Sequence, residues 1–264
     1  IDTADLGGLR FPVAVKVESP DVPHDLGLAS EAGRIETDGN KISYFIGRNT
    51  LKASAALARK YDVPVLIHLA ETADELKQSV EKYQLRPAAY LDSLGFWSPR
   101  TLAAHGVWVD DEDIAILAKN RVSVSHNPES NMKLASGTAP LAKYKAANVT
   151  VSLGTDGAAS NNDLDMFEET RLAALLAKGS TGDPTMLPAR QALAMATRLG
   201  AQAIHLGHLT GSLEVGKRAD LIVVSLDETH NTPTFRRDPL GVYAQLVYAA
   251  KSTDVVDVMC DGRW

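Results

Sequence analysis

From Asn49 onward the chain alternates between short apolar runs and amphipathic stretches, and this alternation restricts the fold more than any other feature. "NTLKASAALARKY" (49–61) puts Leu51, Ala55 and Ala58 on one face at helical spacing, with Asn49 or Thr50 placed to cap it. "VPVLIH" (63–68) reads as a buried strand, and a helical stretch follows to about Leu94. The pattern then repeats. "TLAAH" (101–105) is a strand, and "DDEDIAILAKN" (110–120) is a helix with acidic residues in its first turn, where the macrodipole favours them. "RVSVSH" (121–126) is a strand, "PLAKYKAAN" (140–148) a helix and "VTVSLGTD" (149–156) a strand. The next helix, "NNDLDMFEETRLAALLA" (161–177), aligns Leu164, Phe167, Arg171, Leu172 and Leu175 along one side.

Such units, joined by short connections, predict a parallel sheet with helices outside it. They favour a (β/α)8 TIM-type barrel over an open sheet. Upstream, "FPVAVKV" (11–17) and "KISYFIG" (41–47) read as two more strands, separated by a long loop rich in turn residues. After Leu206 the texture changes. "ADLIVVSL" (219–226) and "STDVVDVMCDGRW" (252–264) read as strands of a smaller β domain. The expected division is therefore a partial barrel over 1–206 and the C-terminal part of a small β domain over 207–264. Six barrel strands do not close an eight-stranded barrel, so the missing ones are expected upstream of the given sequence.

Several partner classes are disfavoured. The net charge is −6 and there is no basic stripe, which argues against nucleic acid. No apolar run approaches the roughly 18 residues of a membrane span. One cysteine, Cys260, excludes a disulfide framework within the chain and fits a reducing cytoplasm, the expected location.

In parallel α/β folds substrates bind at the carboxyl ends of the strands. Here four successive strands end in His68, His105, His126 and Asp156. Any one alone has an ordinary explanation: a satisfied polar residue for a histidine, or a carboxylate bonding turn amides for Asp156. His126 has the further alternative of organising its own loop. The coincidence points to a site, because imidazole and carboxylate are common zinc ligands. Glu71 is a candidate too. Residues i and i+3 of a continuous strand point to opposite faces, so His68 and Glu71 share a site only if the strand stops near His68.

"IHLAET", "LAAHGVWV", "SHNPESNMKLASG", "LGTDGAASNNDLDMFEE" and "GSLEVGKRADLIVV", in that order, resemble the amidohydrolase superfamily. Within it they are most similar to the methylthioadenosine/S-adenosylhomocysteine deaminase and chlorohydrolase-like group. The resemblance runs from about Asn49 to the C-terminus. It implies a metal-dependent barrel with a composite β-sandwich, one divalent ion (zinc, with iron as the alternative), and a small heterocyclic substrate. It implies metal ligation by His68 and Asp156, proton shuttling by Glu71, and a place for His105 beside the activated water. The segment "NPESNMKLASG", with Asn131, and His126 before it would line the substrate pocket. Similar proteins form oligomers, so a homo-oligomer is expected. The implied activity is hydrolytic deamination of an aminated purine nucleoside. A chlorohydrolase acting on triazines, or a deaminase of guanine or cytosine, is the alternative chemistry. The family's H-x-H pair, which supplies two more ligands, occurs nowhere in the chain. A metal-free, non-catalytic barrel remnant is the alternative of another class.

Overall fold

A computed structural model describes residues 15–17, 47–234, 238 and 240–264. Five strands form one sheet: β1 (Val15–Val17), β2 (Val65–Leu69), β3 (Thr101–His105), β4 (Ser123–His126) and β5 (Val151–Leu153). Their order in the sheet is their order in the chain, and every pairing is parallel. This is the arrangement of consecutive barrel strands. The expected strand at 41–47 lies outside the described residues except for Gly47, as does the loop at 18–40.

Helices α1 (Arg48–Tyr61), α2 (Ala73–Tyr83), α3 (Pro87–Ser93), α4 (Asp111–Lys119), α5 (Pro128–Lys133) and α6 (Leu141–Ala146) connect the strands. Leu51, Ala55 and Ala58 are the buried face of α1, as the spacing requires. Its N-cap is Gly47, with no side-chain cap bond, and not Asn49 or Thr50, which lie inside the first turn. The rows of the sheet alternate cleanly. Ile67, Ala103, Val124 and Val151 are in register and buried, forming one layer of the core. His68, Ala104, Ser125 and Ser152 form the next row and face the other way.

Beyond β5 come α7 (Ala158–Asn161), α8 (Met166–Thr181), α9 (Ala189–Ala196) and α10 (Arg198–Ala203). The buried face of α8 is Glu169, Thr170, Ala173, Ala174 and Ala177; of the residues read along one side of this helix, Leu164 precedes it and, like Leu175, is exposed. The small residues win because α8 lies against α9, and alanine lets two helices approach closely. Strands β6 (Leu221–Val224) and β7 (Val255–Met259) pair antiparallel as a separate ribbon. Between them α11 (Gly241–Tyr248) packs on α8 and α9, so this part of 207–264 belongs to the helical layer. Among the described residues no helix is long and apolar enough to cross a membrane.

Candidate active site

The ends of β2, β3 and β5 converge, and in each case a non-glycine residue with positive φ makes the convergence possible. β2 stops at Leu69, and Ala70 turns the chain at φ 47°. The break satisfies the condition for His68 and Glu71 to share a site. The turn is held from two sides. The Ala70 carbonyl accepts from the N–H groups of Val107 and Trp108 at 3.1 and 2.8 Å. The Glu75 carboxylate accepts from the N–H groups of Ala70 and Glu71, both at 2.8 Å. Burial pushes the Glu75 carboxyl up, and those two backbone N–H groups pull it back only in part. Glu75 went unassigned at the level of sequence, although Thr72 and Glu75 have the spacing of a helix capping box. Thr72 does cap α2, accepting from the Glu75 N–H at 3.1 Å, while the Glu75 side chain reaches further back to the turn.

In a regular strand His105 would point away from its neighbour Ala104, and so away from the face that carries His68. Its φ of 72° turns it around. The His105 and His68 rings stack with centroids 5.3 Å apart, inclined by 20°. Gly106 follows at φ 55°, and the Tyr144 hydroxyl donates to its carbonyl at 2.7 Å. Asp156, at φ 64°, lies three residues beyond the end of β5.

His68 Nε2 stands 4.0 Å from Asp156 Oδ1, and His105 Nε2 stands 3.9 Å from Asp156 Oδ2. Glu71 Oε2 is 3.7 Å from His105 Nε2. Ligand atoms of His68, His105 and Asp156 all lie within 4.8 Å of one another. Two donors that each sit about 2.1 Å from one zinc ion are at most about 4.2 Å apart. The two measured pairs fall inside that limit. His105 Nε2 is buried with no hydrogen-bond partner among the described residues, as a nitrogen meant for a ligand would be. These donors fit a divalent cation.

The electrostatics agree. Burial lowers the His105 pKa, against the opposing pull of Glu71 and Asn131, so the ring is neutral. Its Nδ1 lies 2.8 Å from Asn131 Oδ1, which places the proton on Nδ1 and leaves the Nε2 lone pair facing the gap. Burial alone would raise the Asp156 carboxyl, but hydrogen bonds from His68 and Ser130 outweigh it and keep the group ionised.

His126 is not brought into this cluster. It follows Ser125 without a left-handed turn, so it points to the face opposite His68. It is fully buried, and neither ring nitrogen has a partner among the described residues. Burial pushes its pKa down to about 3, and the neighbouring His105 acts in the same direction. Asn131 is also fully buried and is engaged with His105 beneath the site.

The Amidohydrolase family matches residues 32–264. The chain belongs to the amidohydrolase family. It is 45% identical over 237 residues to the 5'-deoxyadenosine deaminase of Methanothermobacter thermautotrophicus, a match covering 90% of this chain and 54% of that protein. It is 51% identical over 209 residues to the 5-methylthioadenosine/S-adenosylhomocysteine deaminase of Moorella thermoacetica, covering 79% and 48%. Among solved structures, an adenosine deaminase from Xanthomonas campestris with bound zinc superposes with a TM-score of 0.79 at 43% identity, over 83% of this chain and 49% of that one. An atrazine chlorohydrolase from Arthrobacter aurescens complexed with zinc gives 0.74 at 28% identity, over 84% and 48%. This amidohydrolase chain thus spans about half the length of the relatives it matches. Its barrel-type fold is the family's.

Proposed function

We propose that this chain carries one half of a metal-dependent hydrolytic deaminase acting on an aminated purine nucleoside. The observation that carries the proposal is the gap bounded by His68, His105, Asp156 and Glu71: three metal-type donors with a carboxylate beside them. The names of the more similar relatives, both nucleoside deaminases, choose the substrate class. Zinc is the preferred ion over iron, because two solved relatives hold it.

His68, His105 and Asp156 would hold the ion, which when bound activates water at neutral pH. Asp156, ionised, accepts the proton that water gives up. Glu71 is half-buried and faces the gap, within reach of a ring bound there. It delivers a proton to the ring nitrogen, making the adjacent carbon more electrophilic, and then takes up the hydroxyl proton of the adduct, while the proton held by Asp156 goes to the departing amine, which leaves as ammonia. Such general acid–base steps contribute about 10²–10⁴-fold. His105 takes part through its Nε2 lone pair, which would go to the ion, so the attacking water is oriented by Asp156 and Glu71. Residues 207–264 contribute part of a second, β-rich portion, and the protein works as a homo-oligomer in the cytoplasm.

The test is ammonia release from a panel of aminated purine nucleosides, guanine, cytosine and aminated triazines, with chloride release followed for chlorinated triazines. The protein is supplied with zinc. Ammonia from adenosine-type nucleosides should dominate. Chloride release as the main activity would move the assignment to the chlorohydrolase relatives. Failure to bind zinc at all would favour a non-catalytic barrel remnant, consistent with the lack of H-x-H in this chain.

A further inference from the structure

One short segment grips three of the four functional side chains, each by a different residue. Ser130 Oγ donates to Asp156 Oδ2 at 2.7 Å. Asn131 Oδ1 accepts from His105 Nδ1 at 2.8 Å. Ser136 Oγ donates to Glu71 Oε1 at 3.2 Å. All three gripping residues are buried, Ser130 and Asn131 completely. Their hydroxyls and amide therefore compete with little water, and each bond fixes a direction.

The segment is itself anchored independently of the site. At its start the Glu129 N–H donates to Glu169 Oε2 at 3.3 Å, which ties α5 to α8. At its end the Ser136 N–H donates back to the Asn131 carbonyl at 2.8 Å, closing a turn through Ala135 at φ 56°. The Ser136 carbonyl accepts from Trp108 Nε1 at 2.7 Å. Trp108 in turn donates its backbone N–H to Ala70, the residue that turns the chain ahead of Glu71. A rigid turn held at both ends is what can carry orientation to three side chains at once.

We infer that residues 130–136 act as a single orienting clamp, in which Ser130 and Asn131 aim the metal donors and Ser136 aims the proton-carrying glutamate. These are positioning residues: each acts through the side chain it binds. The inference rests on the reading of the site as a metal-dependent deaminase, and it goes beyond that reading by dividing the segment into a metal-orienting part and a proton-orienting part. An anchored carboxylate or imidazole loses less freedom when it engages its target, and removing such a supporting partner typically costs about 10–100-fold in metal affinity or activity.

The division makes the test specific. Zinc affinity is measured by competition with a chelator, and kcat and KM are measured for an adenosine-type nucleoside. Ser130→Ala and Asn131→Ala should weaken zinc binding about 10–100-fold. Ser136→Ala should leave zinc affinity and KM at wild-type values and lower kcat about 10–100-fold. The hydroxyl-retaining Ser130→Thr and Ser136→Thr should restore much of what the alanine variants lose. If Ser130→Ala does not fold, Ser130→Cys, close to serine in volume and a weaker donor, replaces it. Wild-type zinc affinity in folded Ser130→Ala or Ser130→Cys overturns the clamp. So does wild-type kcat in Ser136→Ala, or a loss of zinc in Ser136→Ala equal to that in Ser130→Ala. A wild-type protein that binds zinc but deaminates nothing refutes the deaminase reading, and the zinc arm still decides the clamp.

Discussion

His68 Nε2 and Asp156 Oδ1 lie 4.0 Å apart, although their strands, β2 and β5, are separated in the sheet by β3 and β4. In a flat sheet three strand spacings amount to about 14 Å. The two side chains meet because the sheet curves and because Asp156 sits past the end of β5 on a left-handed residue. Curvature of this kind turns separate strand ends into one site. Replacing His68 by alanine should therefore remove a donor that no neighbour replaces. Zinc content after dialysis should fall from near one ion per chain to well below it, and activity should fall with it. Metal analysis with a thermal melt, to show that the fold survives, checks this. Unchanged zinc content would take His68 out of the ligand set.

Glu71 is predicted to separate from the donors. Its carboxylate is 3.7 Å from His105 Nε2 and is held from the far side by Ser136. Glu71→Gln keeps the shape and the bond from Ser136 but cannot carry a proton between water and ring. Zinc content should stay at the wild-type level while kcat falls by about 10²–10⁴-fold. Retained turnover in this variant would remove Glu71 from the chemistry.

The strands that carry the site were legible as short apolar runs near a polar residue: Thr101–His105 matches its expected bounds, while β2 runs one residue past His68 and β5 stops at Leu153, three short of Asp156. What decides the geometry was not legible. Ala70, His105 and Asp156 adopt positive φ with no glycine to announce it, since tertiary contacts impose the turn. Without those turns, strand alternation alone leaves His105 and His126 indistinguishable. The structure separates them by backbone conformation. The face of α8 misled for another reason. Leucine outranks alanine in hydrophobicity, but a close helix–helix contact selects for size, and the sequence does not say which helix face has a near neighbour.

Glu169 predicts a pH dependence of stability. Its carboxylate is fully buried in α8, between the Asn161 amide and the Glu129 backbone N–H. Burial, reinforced by the charges of Glu129 and Asp163, pushes its pKa up to about 8 from an ordinary 4.5. The folded state therefore keeps a proton that the unfolded state loses. This group's contribution is complete below about pH 4.5 and is lost as the pH rises to about 8, at up to about 1.4 kcal/mol per pH unit. Glu169→Gln removes the ionisation. At pH 8 it should be more stable than wild type by on the order of 4 kcal/mol, with the gap closing toward pH 5. Urea titrations at pH 5, 6.5 and 8 test this, and parallel curves for the two proteins would refute it.

Gly106 offers the sharpest structural test, because two separate costs meet there. The residue has φ 55°, which a side chain resists by roughly 1–2 kcal/mol. A Cβ added to it would also fall 2.3 Å from the Tyr144 hydroxyl, far inside contact distance. That hydroxyl cannot simply move away, since Tyr144 is fully buried and its bond to the Gly106 carbonyl fixes it. Gly106→Ala should therefore cost about 2–4 kcal/mol, combining backbone strain, the clash and a damaged hydrogen bond. Tyr144→Phe alone should cost about 1 kcal/mol for the lost bond. The double variant distinguishes the two terms. With the hydroxyl gone, the worst overlap is removed, the new methyl meets the ring of residue 144 and Val124 at 3.3 and 3.4 Å, and backbone strain is the main cost beside the lost bond. The double variant should thus be less destabilised than the sum of the singles by 1 kcal/mol or so, a coupling measurable in urea midpoints at constant slope. Strict additivity would mean that the left-handed backbone, and not the tyrosine, is what requires glycine after His105.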